Sequence, residues 1–476
     1  MAINREQRRT KIVCTMGPAC AGEVLPRLLD AGMNAARLNF SHGSREEHAL
    51  WIKRLRELSS ARGAPLAILQ DLAGPKVRLG DLPGGALTLA PGEDFILSAG
   101  PPEPGAKGAQ VAYPEVVADT PAGAILLLAD GLIELLVAAK TAEALRCRVV
   151  TGGVLRSQVG INFPQHTLSL PALTPKDRED LRFGVEQGVD FIALSYVRSP
   201  RDLRQARELL SALNAEVPLI AKIEKHEALT CLEEIVAEAD GLMVARGDLG
   251  LEVPLETVPF IQKQVIAAAN RAGKPVITAT QMLLSMVDHA RPTRAEATDV
   301  ANAILDGTDA VMLSEETAAG RYPVEAVRFL DQVSRVAEEN FPYLAWLRAR
   351  APAARLEIPQ AISFAACDMA LDLKAAAILT STEFGGTARL ISRFRPRAPI
   401  IGVTPRPETW RRLALSWGVI PLLAPPITDI DEMLQVVEEE AKKAGLLSPG
   451  DRVVITAGTP VGTRGSTNLI KADLIT

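Results

Sequence analysis

Short apolar segments alternate with amphipathic segments along most of this chain, and this alternation constrains the fold more than any other feature. Short apolar runs that end in small or polar residues are typical of buried parallel strands. Because eight parallel strands can close on themselves and leave no unpaired edge, the pattern predicts a (β/α)₈ TIM barrel. Eight candidate strands occur, at residues 11–16, 35–40, 66–71, 191–196, 219–224, 241–245, 275–280 and 310–313.

Residues 76–158 interrupt the alternation. This interval is rich in Gly and Pro and contains β-like runs at 124–128, 132–137 and 145–150. It predicts an inserted β-barrel domain at the active face of the barrel, where it would act as a lid that excludes water from substrate. The alternative is an insertion with no part in catalysis.

The alternation of predicted strands and helices stops near residue 347 and resumes after a short segment. The Ala- and Arg-rich segment 347–355 is typical of a linker, and the strands and helices that follow predict an open, largely parallel α/β sheet. A chain of 476 residues is long enough for several cores. We therefore expect a catalytic barrel at 1–75 and 159–346, a β lid domain at 76–158, and a C-terminal α/β domain at 347–476.

Composition excludes several classes of partner. The formal net charge is -5 and no long basic run occurs, so neither nucleic acid nor a membrane is expected as a partner. The five cysteines are scattered without a Cys-x-x-Cys pair, which argues against disulfides or zinc. Residues 1–9 are charged and unlike a signal peptide, and no apolar run is long enough to span a membrane. We expect a cytoplasmic protein with a small-molecule substrate.

The stretch 244–254 places charged residues directly after a predicted strand. Gly247 and Asp248 follow the apolar run 241–245, and Lys222 and Glu224 end the preceding strand. Since side chains alternate along a strand, Lys222 and Glu224 point to the same side. A lysine beside two carboxylates suits a divalent cation plus a cationic clamp for a phosphoryl group. A structural salt bridge at a strand end is the alternative.

Other strand ends carry polar groups as well. Arg37, Asn39 and Ser41 alternate on one face of a strand, where an arginine can bind phosphate in two-point fashion. Thr280 ends another strand with a hydroxyl. The sequence contains neither a phosphate-binding P-loop nor a dinucleotide fingerprint, so a bound nucleotide needs other contacts.

Several segments closely resemble those of pyruvate kinases, in the same order and over almost the whole chain. The resemblance implies transfer of the phosphoryl group of phosphoenolpyruvate to ADP, giving pyruvate and ATP in the last step of glycolysis, with Mg²⁺ or Mn²⁺. It also implies a homotetramer, and effector binding and oligomerisation for the domain at 347–476. The segments are 10–18, 33–43, 221–224, 242–250, 277–282, 291–296 and 299–314.

The resemblance also implies roles for single residues. Lys222 matches the lysine that stabilises the migrating phosphoryl group, Arg37 the phosphate-binding arginine, and Thr280 the threonine near the face where the enolate is protonated. Glu224 and Asp248 match the metal ligands. Further implied contacts are substrate carboxylate binding by the backbone of Gly247 and Asp248, and nucleotide binding by Asn39, His42 and Arg78.

The monovalent-cation region departs from the family pattern. Many pyruvate kinases hold potassium with residues that match Asn39, Ser41, Asp71 and Leu72, but here Leu72 replaces Thr and Lys76 replaces Glu. The ammonium of Lys76 can supply the charge that potassium otherwise brings. We expect K⁺ not to be required; the alternative is that Lys76 is a solvated residue at the lid hinge and K⁺ still binds.

Other departures concern the nucleotide and a regulator. Glu315, Ala319 and Gln158 differ from the family pattern on the nucleotide side. They are the only support for a catalytically silent paralogue that binds phosphoenolpyruvate or an effector and regulates a partner. A different barrel enzyme, such as a lyase, is a third reading that the lid and C-terminal domain disfavour. A segment between a strand and a helix matches the family's effector loop for a sugar phosphate or nucleotide, although an ordinary capped turn is the alternative: Thr380, Ser381, Thr382, Gly385 and Thr387.

Overall fold

The computed structural model describes residues 8–102, 105–350, 357–426, 429–460, 462–463 and 465–476. Eight parallel strands close into a barrel, and strands that are consecutive within this set are neighbours around the ring. The predicted (β/α)₈ barrel is therefore confirmed. Its strands are Lys11–Thr15, Ala35–Asn39, Ala67–Asp71, Phe191–Leu194, Leu219–Ile223, Gly241–Ala245, Val276–Ala279 and Ala310–Leu313.

Helices surround this barrel, and polar caps define where several of them begin. Ser44, Thr174 and Thr293 each accept a hydrogen bond from the backbone of the first helical turn in a capping box. The main helices are Val24–Asp30, Arg45–Arg62, Pro175–Glu186, Pro200–Ala212, His226–Thr230, Leu232–Glu238, Val258–Ala272, Arg294–Leu305 and Pro323–Glu339.

The insert forms a β structure with a hydrophobic core of its own. A six-stranded and a two-stranded sheet make it up, and single bridges from Arg78 to Gly160 and from Leu79 to Val111 link the edges of the larger sheet. Residues alternate between buried and exposed along its longer strands, as expected when one face covers a core. Its strands are Ala86–Leu89, Asp94–Ser98, Gly108–Gln110, Ile125–Leu128, Ile133–Lys140, Ala144–Thr151, Gly153–Arg156 and Ile161–Asn162.

The C-terminal sheet has five strands, of which four are parallel as predicted. The fifth, Thr467–Leu474, pairs antiparallel at one edge. The sequence pattern missed this edge strand because its burial is low and irregular. The parallel strands are Ala377–Ser381, Ile400–Thr404, Val419–Leu423 and Arg452–Gly458, and the helices are Ile358–Asp372, Gly386–Ser392, Pro407–Leu413 and Ile430–Lys443.

The predicted linker needs one correction. Its first residues belong to helix Tyr343–Ala349, because Leu347 is buried in the core of the C-terminal domain. The rest of segment 347–355, from residue 351 onward, lies outside the described residues. No helix within the described ranges is long and apolar enough to cross a membrane.

Candidate active site

Five charged side chains meet at the carboxyl ends of the barrel strands. Three of them lie within strands, the fourth directly after a strand and the fifth in the short helix Arg246–Leu249 that follows a strand, so the parallel arrangement brings them to one end of the barrel. They come from four different strands and are far apart along the chain: Arg37, Asp71, Lys222, Glu224 and Asp248.

Lys222 lies at the centre of this cluster. Its Nζ is 2.9 Å from Glu224 Oε1, 3.1 Å from Asp71 Oδ1 and 2.7 Å from Ser195 Oγ. Burial would lower the pKa of Lys222, but the two carboxylates outweigh this effect and raise it above the ordinary lysine value. The ammonium therefore stays charged and is held in one position.

Asp71 connects Lys222 to Arg37. Its Oδ2 is 2.6 Å from Nε of Arg37, while its Oδ1 faces Lys222. Burial alone would raise the pKa of Asp71, yet Lys222 and Arg37 together bring it below its usual value. Arg37 also donates from Nη1 to Thr15 Oγ1 at 3.1 Å. One buried carboxylate thus orients both cations of the site.

Glu224 and Asp248 offer the oxygen ligands that a hard divalent cation prefers. Burial raises the pKa of Glu224, and the nearby charge of Asp248 raises it further, against the lowering effect of Lys222. The two carboxylates therefore repel each other across the mouth of the barrel. A divalent ion between them would offset this repulsion, so the residues present fit Mg²⁺ or Mn²⁺.

Asp248 Oδ1 has two further neighbours. Lys76 Nζ is 3.3 Å away and the hydroxyl of Tyr196 is 3.4 Å away. Lys76 comes from the start of the insert, so this ion pair joins the insert to the barrel cluster. Burial, Asp248 and Glu224 raise the pKa of Tyr196 well above its usual value, which keeps its hydroxyl protonated.

Gly247 and Thr280 lie together beside this cluster. The backbone N–H of Gly247 donates to Thr280 Oγ1 at 2.8 Å, and Thr280 donates to the carbonyl of Ala279 at 2.6 Å. Thr280 has φ of 68° and the following Gln281 has φ of 55°, a left-handed conformation that costs energy for residues other than glycine. Such strain is typical of functional sites.

The remaining predicted residues lie around the rim or in the lid. Asn39 Oδ1 accepts from the amide of Ser41 at 3.2 Å, His42 is exposed, and Leu72 is buried. Arg78 donates to the carbonyl of Gln158 at 3.0 Å. Within the described ranges, no side-chain hydrogen bond or ion pair joins these residues to Lys222, Glu224 or Asp248.

The candidate effector loop begins within the last two residues of strand Ala377–Ser381 of the C-terminal sheet and continues into helix Gly386–Ser392. Thr380 Oγ1 is buried and has no hydrogen-bond partner among the described residues, Thr382 is buried, and Gly385 has φ of 80° at the start of helix Gly386–Ser392. Thr387 Oγ1 is 2.7 Å from Thr467 Oγ1. Ser381 is half-buried at the end of the strand.

Two residues of the site were not among the sequence candidates. Ser195 and Tyr196 follow strand Phe191–Leu194, and both contact the charged cluster. The sequence pattern included them in the strand, although polar residues at the end of an apolar run were the available signal. Their directions depend on backbone turning after the strand, since Tyr196 has φ of 57°.

Comparisons with known proteins agree with this architecture. Residues 7–327 match the model of the pyruvate kinase barrel domain and residues 360–472 that of the pyruvate kinase alpha/beta domain. The chain is 49% identical to a pyruvate kinase of Geobacillus stearothermophilus over 98% of its own length and 81% of that protein. It is 48% identical to pyruvate kinase 2 of a Synechocystis species, covering 98% of this chain and 79% of that protein. With a catalytic barrel, an insert and a C-terminal sheet that match this family throughout, the chain belongs to the pyruvate kinases.

Proposed function

We propose that this chain transfers the phosphoryl group of phosphoenolpyruvate to ADP and yields pyruvate and ATP, the last step of glycolysis. The observation that carries the proposal is the buried cluster in which Asp71 holds Lys222 and Arg37 at the barrel mouth. Phosphoryl transfer depends mainly on positioning and on neutralising charge, and this cluster supplies both.

Lys222 and Arg37 bind the oxygens of the moving phosphoryl group. Both cations are fixed by Asp71, so little reorganisation is needed as negative charge shifts from donor to acceptor. Glu224 and Asp248 would hold Mg²⁺ or Mn²⁺, which when bound would supply further positive charge to the phosphoryl oxygens. Asn39, His42 and Arg78 bind the ADP side.

Thr280 and Gly247 contact the part of phosphoenolpyruvate that becomes pyruvate. Backbone groups of Gly247 and Asp248 bind the carboxylate of phosphoenolpyruvate, because a residue without a side chain lets the backbone approach closely. The hydroxyl of Thr280 lies 2.8 Å from the Gly247 amide, so a substrate bound there would present to it the carbon that receives a proton after phosphoryl transfer.

A coupled assay of pyruvate release from phosphoenolpyruvate and ADP tests this function. We expect activity in the wild type and a loss of about 10³-fold or more in Lys222→Met, since the central cation disappears. Lys53→Met, at an exposed position, is the matched control. Wild-type activity equal to that of Lys222→Met would contradict the proposal. Pyruvate release without ADP would instead indicate a different barrel enzyme that transfers the phosphoryl group to water, and binding of phosphoenolpyruvate without turnover a silent paralogue.

Potassium independence is part of the proposal. Its support is Lys76, whose ammonium is 3.3 Å from Asp248 Oδ1, and Leu72, which offers no side-chain oxygen. Activity should change by less than about tenfold (about 1.4 kcal/mol in barrier) when K⁺ is omitted at constant ionic strength and Mg²⁺. Lys76→Glu should make activity depend on K⁺. A wild-type enzyme whose activity falls by more than about tenfold when K⁺ is omitted would refute potassium independence.

The candidate effector loop remains a proposal as well. Thr380, Ser381, Thr382, Gly385 and Thr387 would bind the phosphate of a sugar phosphate or a nucleotide. Glu383 in the same loop is 2.8 Å from Arg406, so an anionic effector must compete with a carboxylate already paired there. Saturation curves measured with a panel of sugar phosphates and AMP test this site. Curves that no compound shifts would remove it.

Assembly and location complete the proposal. Leu255 lies just before helix Val258–Ala272 and Phe260 lies within it, and they are 71% and 72% exposed, which supports burial of this face in a homotetramer. Sedimentation of the wild type and of Phe260→Asp tests the assembly, and a monomeric wild type would refute it. Cytoplasmic location and the domain division at residues 76, 159 and 347 stay predictions, which cell fractionation and limited proteolysis test.

A further inference from the structure

Tyr196 occupies an unusual backbone position beside the charged cluster. It follows strand Phe191–Leu194 by two residues and has φ of 57°, a left-handed conformation that few tyrosines adopt. Its ring packs against Gly74, where an added Cβ atom would come within 2.8 Å of Tyr196 Cδ2. A bare backbone at Gly74 therefore leaves room for the ring in this position.

Tyr196 contacts both carboxylates of the proposed metal site. Its backbone N–H donates to Glu224 Oε2 at 2.7 Å, and its hydroxyl lies 3.4 Å from Asp248 Oδ1. The hydroxyl contact is long for a hydrogen bond, as contacts in active sites without substrate often are. One residue thus links two acidic side chains that come from neighbouring barrel strands.

The two oxygens of Asp248 differ in their surroundings. Oδ1 has the Tyr196 hydroxyl and the Lys76 ammonium as neighbours. No hydrogen bond from the described part of the chain reaches Oδ2. The carboxylate is therefore held by one oxygen while the other stays free for a ligand.

We propose that Tyr196 is a positioning residue for the divalent cation, whose hydroxyl orients Asp248 so that Oδ2 faces the ion. This inference rests on the proposed roles of Glu224 and Asp248 as metal ligands. Groups that orient a ligand in this way contribute to metal affinity although they do not touch the metal. If the ring served only for packing, phenylalanine would replace it without effect on the metal.

Binding of Mn²⁺ to the purified full-length protein tests the proposal directly. Free Mn²⁺ is measured by electron paramagnetic resonance, without substrates and without turnover. We expect Tyr196→Phe to weaken Mn²⁺ binding about tenfold. Tyr322→Phe, which changes a half-buried tyrosine before helix Pro323–Glu339, should bind like the wild type.

Kinetics give a second readout. The Mn²⁺ concentration for half-maximal activity should rise in Tyr196→Phe by a larger factor than kcat falls, because the substitution weakens the metal site more than the chemical step. A merely structural tyrosine would change thermal stability without changing Mn²⁺ affinity. Equal Mn²⁺ affinity in Tyr196→Phe and wild type would overturn the inference.

Asp248→Asn separates this inference from the assignment on which it depends. If Asp248→Asn binds Mn²⁺ as tightly as the wild type, the metal site itself is misassigned and the role of Tyr196 falls with it. If Asp248→Asn loses affinity and Tyr196→Phe does not, only the role of Tyr196 is wrong. Loss of affinity in both variants, with an unchanged Tyr322→Phe, supports the proposal.

Discussion

Asp71 shows how one buried side chain organises the site at the scale of residues. It is almost fully buried and forms ion pairs with both Arg37 and Lys222. A carboxylate in this position can remain charged only because two cations compensate for the lost hydration. The cations in turn need Asp71 to stay in place, so the three residues act as one unit.

Asp71→Asn should disrupt this unit. The amide removes the negative charge between two buried cations, so we expect a loss of about 3–5 kcal/mol in stability. Displacement of Lys222 and Arg37 should also lower kcat/KM by about 10²-fold. Urea unfolding and steady-state kinetics measure the two effects. Asp30→Asn, in an exposed pair with Arg62, is the control and should change stability by less than about 1 kcal/mol.

An Asp71→Asn variant that keeps kcat/KM within about threefold of the wild type (about 0.7 kcal/mol) would contradict this role.

The sequence pattern predicted that Lys222 and Glu224 point to one side, because strand alternation depends only on spacing. It assigned Asp71 to the monovalent-cation region through the family resemblance. The strand of Arg37 adjoins that of Asp71, whereas strand Phe191–Leu194 separates the strand of Asp71 from that of Lys222, so the ion pairs of Asp71 depend on the order of four strands around the barrel.

At the scale of elements, the start of helix Pro175–Glu186 connects to the hinge of the insert. Asp177 is fully buried and accepts from the backbone N–H of Thr174 at 2.9 Å and of Gly74 at 3.1 Å. Gly74 in turn packs against Tyr196. The helix cap therefore fixes the backbone from which the insert leaves the barrel.

Asp177→Ala should destabilise the protein by about 2–3 kcal/mol, because it leaves buried backbone donors without partners. An exposed capping box contributes less to stability. Glu47→Ala, which removes the partner of Ser44 in the capping box of helix Arg45–Arg62, should therefore cost about 0.5–1 kcal/mol in unfolding free energy. Chemical unfolding of the two variants measures the difference. Equal costs in both variants would show that the bond to Gly74 contributes nothing.

The first barrel strand begins with a buried lysine. Lys11 Nζ donates to the carbonyl of Val419 at 2.8 Å in the C-terminal sheet. Burial lowers the pKa of Lys11 to about 7, with help from Arg8, while Glu338 and Asp309 oppose the effect. The unfolded chain therefore binds more protons at this residue between about pH 7 and 10.5, and the contribution of Lys11 to stability rises with pH in that window.

Lys11→Met removes the cost of burying this charge. The gain in stability relative to wild type should be about 1–4 kcal/mol near pH 6 and smaller near pH 9. Loss of the hydrogen bond to Val419 costs the same at both pH values, so the difference between them is the readout. Thermal unfolding measures it, with Lys53→Met as the exposed control. A gain that does not depend on pH would contradict the assignment.

At the scale of the whole molecule, buried charges join the barrel to the C-terminal domain. Arg395 is buried and its Nη2 is 3.0 Å from Asp309 Oδ2, 2.9 Å from Asn270 Oδ1 and 2.7 Å from the carbonyl of Gly307. Its guanidinium also lies over the ring of Trp417 at 4.9 Å. These contacts connect the base of the barrel to the sheet that carries the candidate effector loop.

Arg395→Met should uncouple the unfolding of the C-terminal domain from that of the barrel. Asp309 would keep a buried charge without its cation, at a cost of about 3–5 kcal/mol. We expect calorimetry to show an early transition for the C-terminal domain, ahead of the barrel. Arg335→Met, which breaks a surface pair with Asp331, should cost less than about 1 kcal/mol. A single unshifted transition in Arg395→Met would refute the coupling.

The sequence by itself determined the barrel, the presence of a separate α/β sheet after it and the side of the barrel on which the charged residues lie. These features follow from local periodicity and from the rule that parallel strand ends gather at one face. Only the tertiary structure decided that Asp71 joins Arg37 to Lys222, that Tyr196 contacts Glu224 and Asp248, and that Thr467–Leu474 completes the last sheet. Such contacts depend on strand register, on backbone turns after strand ends and on packing between distant segments, none of which residue types alone specify.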